Sequence, residues 1–182
     1  MSKAFDPHRL DVKAFAEQAG ELAGEDRLGN HSRIMAETAG RGADAQLIWS
    51  VAGELRNPGH ARPEIWLRLQ ARAVLPLTCQ RCLAPVDVPV RVERPFRFVQ
   101  DETVAAAEDD QSEVDLLALS RSFDLIELIE DELLMEVPVA PRHDVCPVPV
   151  TLAVEDADFG APSVERVNPF ALLQRLKTGK RE

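Results

Sequence analysis

A chain of 182 residues with 45% hydrophobic content is long enough to build one self-sufficient core, burying about 70% of its extended surface at this size. No apolar run nears the ~20 residues of a membrane-spanning helix, and the opening Met1-Ser2-Lys3-Ala4-Phe5-Asp6 lacks the apolar core of an export signal, so three free thiols in a reduced cytoplasm are expected. The net charge of −10 argues against a general nucleic-acid coat while leaving room for a local basic face.

In chain order, residues 6–19 read as a short helical arm. Val12, Phe15, Ala16 and Ala19 recur at helical spacing and Gly20 closes it. A small strand is expected over 21–25. Asn30 is placed to cap a helix from His31 to Thr38, with Ile34 and Met35 turned inward. Leu47, Trp49, Val51, Gly53 and Leu55 alternate as a strand, and Asn57-Pro58-Gly59 is a turn.

The clearest pattern follows. Ile65, Leu67, Leu69, Ala71, Ala73 and Leu75 alternate with Trp66, Arg68, Gln70, Arg72 and Val74. Val86, Val88, Val90 and Val92 then alternate with Asp87, Pro89, Arg91 and Glu93, and Phe96 and Phe98 prolong the run. Successive strand side chains leave opposite faces, so each run is a half-buried strand. Together they predict a β-hairpin whose tip is Cys79-Gln80-Arg81-Cys82. From Arg56 to Arg97 eight arginines outnumber three acids, a local net of +5.

Residues 101–112, alanines flanked by acids, show no apolar face and are expected as a mobile acidic loop. Val114 to Leu119 offers one more strand. Asp124 then caps a helix over 124–136. Phe123 is set to staple onto Leu128, Leu125, Ile126, Leu128, Ile129 and Leu133 form an apolar stripe, and Glu127, Glu130 and Asp131 are expected to face water. Pro138 and Pro141 end it. From Asp101 to Glu136 there are thirteen acids against Arg121, a local net of −12. Residues 155–182 read as linker followed by a short docking helix, capped by Asn168 and started by Pro169.

Two constellations carry chemistry. Cys79, Cys82, His143 and Cys146 supply two compact ligand pairs, the four soft donors of a tetrahedral Cys₃His zinc site. The alternative is that the thiols are small apolar residues and the pairs never meet. Thiol–disulfide catalysis is disfavoured because the first cysteine is followed by strand, not by the helix that would lower its pKa. The second constellation is the polar hairpin face. Trp66, Arg68, Arg72, Arg91 and Arg97, with Arg81 at the tip, are arranged to hold phosphates and stack an unpaired base; a solvated arginine-rich face is the plain alternative. The acidic helix suits either a solvated face or a basic partner. No phosphate loop and no Ser-His-Asp ordering is found.

Three motifs, Leu77-Thr78-Cys79-Gln80-Arg81-Cys82-Leu83, then Phe123 to Leu134 running into Val137-Pro138-Val139-Ala140-Pro141-Arg142-His143, then Asn168-Pro169-Phe170-Ala171-Leu172-Leu173, resemble the YceD family. That family is described as large ribosomal RNA subunit accumulation proteins of bacteria, with plastid relatives. The resemblance implies a cytosolic, non-catalytic factor for synthesis, processing or stability of 23S rRNA, and it carries the ligand pairs onto Cys79, Cys82, His143 and Cys146. Met135-Glu136-Val137 departs from the more apolar run expected before Pro138. The expected architecture is one α+β domain over 1–182: an antiparallel sheet around the 65–98 hairpin, packed by the 124–136 helix, with short terminal helices. The expected partners are large-subunit rRNA or a ribosomal or assembly protein, with no membrane or small-molecule substrate. A zinc-stabilised protein–protein adaptor without RNA contact is the rival reading.

Overall fold

One five-stranded sheet carries the fold, its strands lying side by side in chain order. They are β1 (Glu21–Arg27), β2 (Gln46–Arg56), β3 (Glu64–Thr78), β4 (Pro85–Val99) and β5 (Asp115–Ala118). The computed structural model describes residues 5–59 and 63–149, and the linker and docking helix expected over 155–182 lie outside them. The described residues up to Val148 belong to one compact unit.

β1 to β4 pair antiparallel, as the hairpin pattern requires. β5 joins β4 parallel, with Phe96 opposite Asp115 and Val99 opposite Ala118, so the sheet is mixed. The β3–β4 ribbon is the longest pairing, running from Ile65 opposite Phe98 to Thr78 opposite Pro85. Its inner row on β3 (Ile65, Leu67, Leu69, Ala71, Ala73, Leu75 and Leu77) is buried throughout. Each large member of that row contributes about 1.5–3 kcal/mol. A one-residue slip would turn the row to solvent, which fixes the register.

Three helices bear on the inner face or on one another: α1 (Val12–Glu17), α2 (Ser32–Glu37) and α4 (Leu125–Met135). Asp11 caps α1 by accepting from the Ala14 amide. Phe15 of α1 rests on Gly20 and Gly53, where an added Cβ would lie 2.4 and 2.7 Å from its ring. Glycine at those two positions is what lets α1 close on β2. Asp124 caps α4, accepting from the Ile126 and Glu127 amides. Leu125, Ile129 and Leu133 are fully buried beneath it. Phe123 meets Phe98 edge-on with centroids 5.3 Å apart, so its aromatic partner is on the inner row of β4.

Three expectations are corrected. Residues 101–112 are not an irregular loop: α3 (Glu102–Glu108) forms there, with Asp101 accepting from the Val104 amide. A capped run of alanine and glutamate has enough intrinsic helix preference without a wide apolar face. Asn30 does not cap α2. Its amide turns back to Asp26, and the Arg33 and Ile34 amides are taken by Glu130 at 2.8 and 3.1 Å. Glu130 therefore does not face water; it is 8% exposed, drawn in by those orphan amides. No helix among the described residues is long and apolar enough to cross a membrane.

Candidate metal centre

The hairpin turns between Thr78 and Pro85. The Cys79 amide donates to the Ala84 carbonyl at 2.9 Å and the Leu83 amide to the Cys79 carbonyl at 2.9 Å. This tight knuckle holds Leu83 at φ +60°, a left-handed conformation that costs a residue bearing a Cβ roughly 1–2 kcal/mol. The Leu83 side chain is 75% exposed, so packing does not account for its presence there. Beyond α4 the chain returns to the knuckle, where the Gln80 amide donates to the Pro141 carbonyl at 2.8 Å and Pro141 is buried.

That return brings the two ligand pairs together. One ligand atom from each of Cys79, Cys82, His143 and Cys146 lies within 4.8 Å of all the others. Cys79 Sγ and Cys146 Sγ are 4.0 Å apart, and Cys82 Sγ is 3.4 Å from His143 Nδ1. All three cysteines are free thiols. His143 Nε2 sits 2.9 Å from the Pro85 carbonyl. A carbonyl only accepts, so Nε2 carries the proton and Nδ1 presents its lone pair to the sulfurs. An outer hydrogen bond that fixes the tautomer in this way is a regular feature of metal-binding histidines.

Arg81 completes the surround. Its Nε donates to Cys146 Sγ at 3.0 Å and its Nη2 to the His143 carbonyl at 2.8 Å. It thus lies between the two cysteines in sequence and braces the other half of the cluster in space. The Arg81 pKa is raised, chiefly by its bond to Cys146. Burial works against ionisation of Cys79, but the amides of Cys82, His143 and Arg81 overcome it and bring the thiol down to about 5. For Cys82 the Ala84 amide favours the thiolate, yet burial and the sulfurs of Cys146 and Cys79 push its pKa up. One thiolate forms readily, and the next resists because the first is beside it. A divalent cation among the sulfurs would resolve that conflict by replacing the protons. Three thiolates and one imidazole form a full tetrahedral set with no open position, the pattern of structural zinc.

The other predicted residues lie on the outer sheet face. Trp66, Arg68 and Arg72 alternate outward on β3, with Arg91 and Arg97 outward on β4. Trp66 is already engaged. Its Nε1 donates to Glu64 at 2.9 Å, and Arg56 stacks on its ring at 3.9 Å from the centroid. Arg97 pairs with Glu108 of α3 at 3.1 Å. On β1–β4 six outward arginines (27, 56, 68, 72, 91, 97) face six outward acids (21, 25, 54, 64, 87, 93), so the local excess of +5 counted along the chain cancels on this surface. Arg81 stands apart from that face, committed to the knuckle.

The convergence of these four side chains was legible from their paired spacing. The bracing role of Arg81 was not, although an arginine between two cysteines is the one signal that pointed to it. Glu130 was the other residue missed: an acid beside an apolar stripe reads as solvated until α2 is seen to present its amides.

A family model described as large ribosomal RNA subunit accumulation protein YceD matches residues 67–177 of the chain. The match covers the hairpin from Leu67 onward, the knuckle, and Cys79, Cys82, His143 and Cys146. No solved structure matches the chain.

Proposed function

From the premise that the chain belongs to the YceD family, we propose that it is a non-catalytic, cytoplasmic factor for the large ribosomal subunit, acting on the synthesis, processing or stability of 23S rRNA through direct RNA contact, with a zinc ion closing its hairpin tip. The observation that carries the non-catalytic part is the closed donor set, with four ligand atoms within 4.8 Å and none left over for a substrate. Cys79, Cys82, Cys146 and His143 Nδ1 hold the ion. The ion supplies the positive charge that three neighbouring thiolates require, and Arg81 and the Pro85 carbonyl orient the ligands. Thiol–disulfide catalysis fits less well. The low Cys79 pKa is common to a redox thiol and a metal thiolate, but strand follows Cys82, and Arg81 occupies the space beside Cys146 that an incoming disulfide needs.

Two measurements test this reading. Protein purified without added metal is expected to contain one zinc per chain. RNA recovered with the tagged chain is expected to be enriched in 23S rRNA or its precursors over 16S. Metal-free protein with an intact knuckle refutes the zinc; a catch with no rRNA enrichment refutes direct RNA contact.

A second reading, a zinc-stabilised adaptor that touches only protein, is favoured by the cancelled charge of the outer sheet face. It predicts a protein, such as a ribosomal or assembly protein, that stays bound after RNase treatment while the rRNA is lost.

A further inference from the structure

Half of the six outward arginines on β1–β4 have a carboxylate partner among the described residues. Arg27 pairs with Asp44, Arg56 with Glu54 and Arg97 with Glu108. Arg72 and Arg91 differ. They sit directly opposite each other across the β3–β4 pair, both exposed, and among the described residues neither has a carboxylate within ion-pair distance. Side chains so placed have Cβ atoms about 4.5–5.5 Å apart, and like charges there destabilise the sheet. Arg68, on the same row and four residues along β3, also lacks a carboxylate within that distance among the described residues; Glu54 nearby is taken by Arg56.

Arg72 and Arg91 line a solvent-open groove of about 400 Å³, at the small end of ligand-sized clefts. Its neighbouring strands offer the short side chains Ala23 and Ser50, which face each other, and Ile48 opposite Arg72. Glu93, the one acid in the groove, lies 3.5 Å from the Gln70 amide. The local charge is therefore +1, from two guanidinium groups and one carboxylate.

We propose that the Arg72–Arg91 pair grips a phosphodiester of single-stranded RNA, with Arg68 meeting a later phosphate of the same strand. This rests on the rRNA reading above and gives it a location. A carboxylate is satisfied by one guanidinium fork, whereas a tetrahedral phosphate accepts from two at once. A repeating polyanion laid along β3 also reaches Arg68, about 13 Å away at ~3.3 Å per residue. Base stacking plays no part in this contact, because Arg56 already covers a face of Trp66. The expected RNA sequence preference is accordingly weak.

The test is a fluorescence titration of the full chain with a labelled 20-nucleotide oligouridylate, repeated over a range of salt. Arg72→Gln/Arg91→Gln is expected to lower affinity tenfold or more and to flatten the slope of log K against log salt by about 0.7, the one phosphate that the pair neutralises. The doubly lysine-substituted chain, which keeps charge without the forks, is expected to retain the slope and lose part of the affinity. Without RNA the glutamine variant is expected to melt no lower than the parent, because a repulsion has gone; this separates loss of binding from loss of fold. Unchanged affinity and slope in the glutamine variant overturn the site while leaving an rRNA role intact. Polyglutamate competing as well as oligouridylate overturns it in favour of an acidic protein partner. A parent chain that binds neither oligouridylate nor a 23S transcript overturns the site and direct rRNA contact together.

Discussion

Two polar assemblies join distant parts of this chain, and they differ in whether the chain alone completes them. In the contact between α2 and α4, Glu130 takes the Arg33 and Ile34 amides, and the Arg33 guanidinium reaches Glu130 and Asp131. Each of these donors meets a carboxylate oxygen. At the knuckle, three sulfurs and an imidazole converge, and among the described residues Arg81 is the only cationic side chain that bonds to them. Buried or half-buried polar groups are tolerated when their partners are present. The first assembly is finished by its own residues and reads as structural. The second is a set of soft donors facing one another that could hold a metal ion, and a cation in their midst would complete it.

The most severe way to break this contrast is to deny the knuckle a cation. Cys79→Ser, or the parent chain with a strong chelator, is expected to lose the metal and lower the melting temperature by on the order of 10 °C. The loss should be local. Hydrogen-exchange protection of the Gln80 and Leu83 amides should collapse while that of the inner β3 strand persists. Retention of full protection at the knuckle without metal would show that Arg81 and the backbone suffice.

The finished assembly is expected to respond less. Glu130→Ala strands two amides at the start of α2 and should cost about 2 kcal/mol, or roughly 4–8 °C in a chain of this size. Glu130→Gln keeps one acceptor oxygen and should cost less than half as much. Denaturant titration with an unchanged m-value checks both. An alanine variant as stable as the parent would mean that solvent satisfies those amides and that the contact is incidental.

A third substitution sharpens the knuckle side. Leu83 holds a left-handed backbone with its side chain in solvent. Leu83→Gly removes a steric cost of about 1–2 kcal/mol and adds about 0.5–1 kcal/mol of chain entropy, leaving a net gain of ~0.5–1 kcal/mol. The variant is expected to melt a few degrees higher and to bind metal at least as tightly. If it also loses rRNA in a pull-down, the exposed leucine is a contact that the strain maintains.

These sites show what the sequence carried and what it did not. The long hairpin was readable because period-two alternation over fifteen residues on each arm admits one register that buries every inner side chain. The knuckle was readable because its four converging donors come in tight pairs. The parallel direction of β5 was not, since four residues hold no periodicity and strand direction is set by the route of the preceding chain. Helix α3 was missed because its signal is a cap and alanines, not an apolar stripe. The outer face misled in a different way. Charges counted along β3 and β4 are basic, but β1 and β2 bring Glu21, Glu25 and Glu54 beside them, and only pairing reveals it. Interactions between segments far apart in sequence, such as Arg33 with Glu130, leave no local trace at all.

The smallest predicted effect bears on the same rule, that unmatched buried charge is costly. Glu132 is 5% exposed, and burial raises its pKa above the ordinary glutamate value of 4.5 despite Arg94, whose Nε lies 3.4 Å away. A carboxyl raised in the folded state contributes stability fully below the unfolded value, and that contribution is lost as pH climbs through the folded one. Glutamine copies the protonated form at every pH, and Arg94 keeps Glu136 at 3.3 Å. Glu132→Gln is therefore expected to match the parent in acid and to exceed it near neutrality by less than about 1 kcal/mol. Thermal melts from below pH 4.5 to neutral check the sign: the two curves should separate as pH rises. A gap that closes instead would mean that Arg94 stabilises the charged form more than burial penalises it, making Glu132 a completed pair like Glu130.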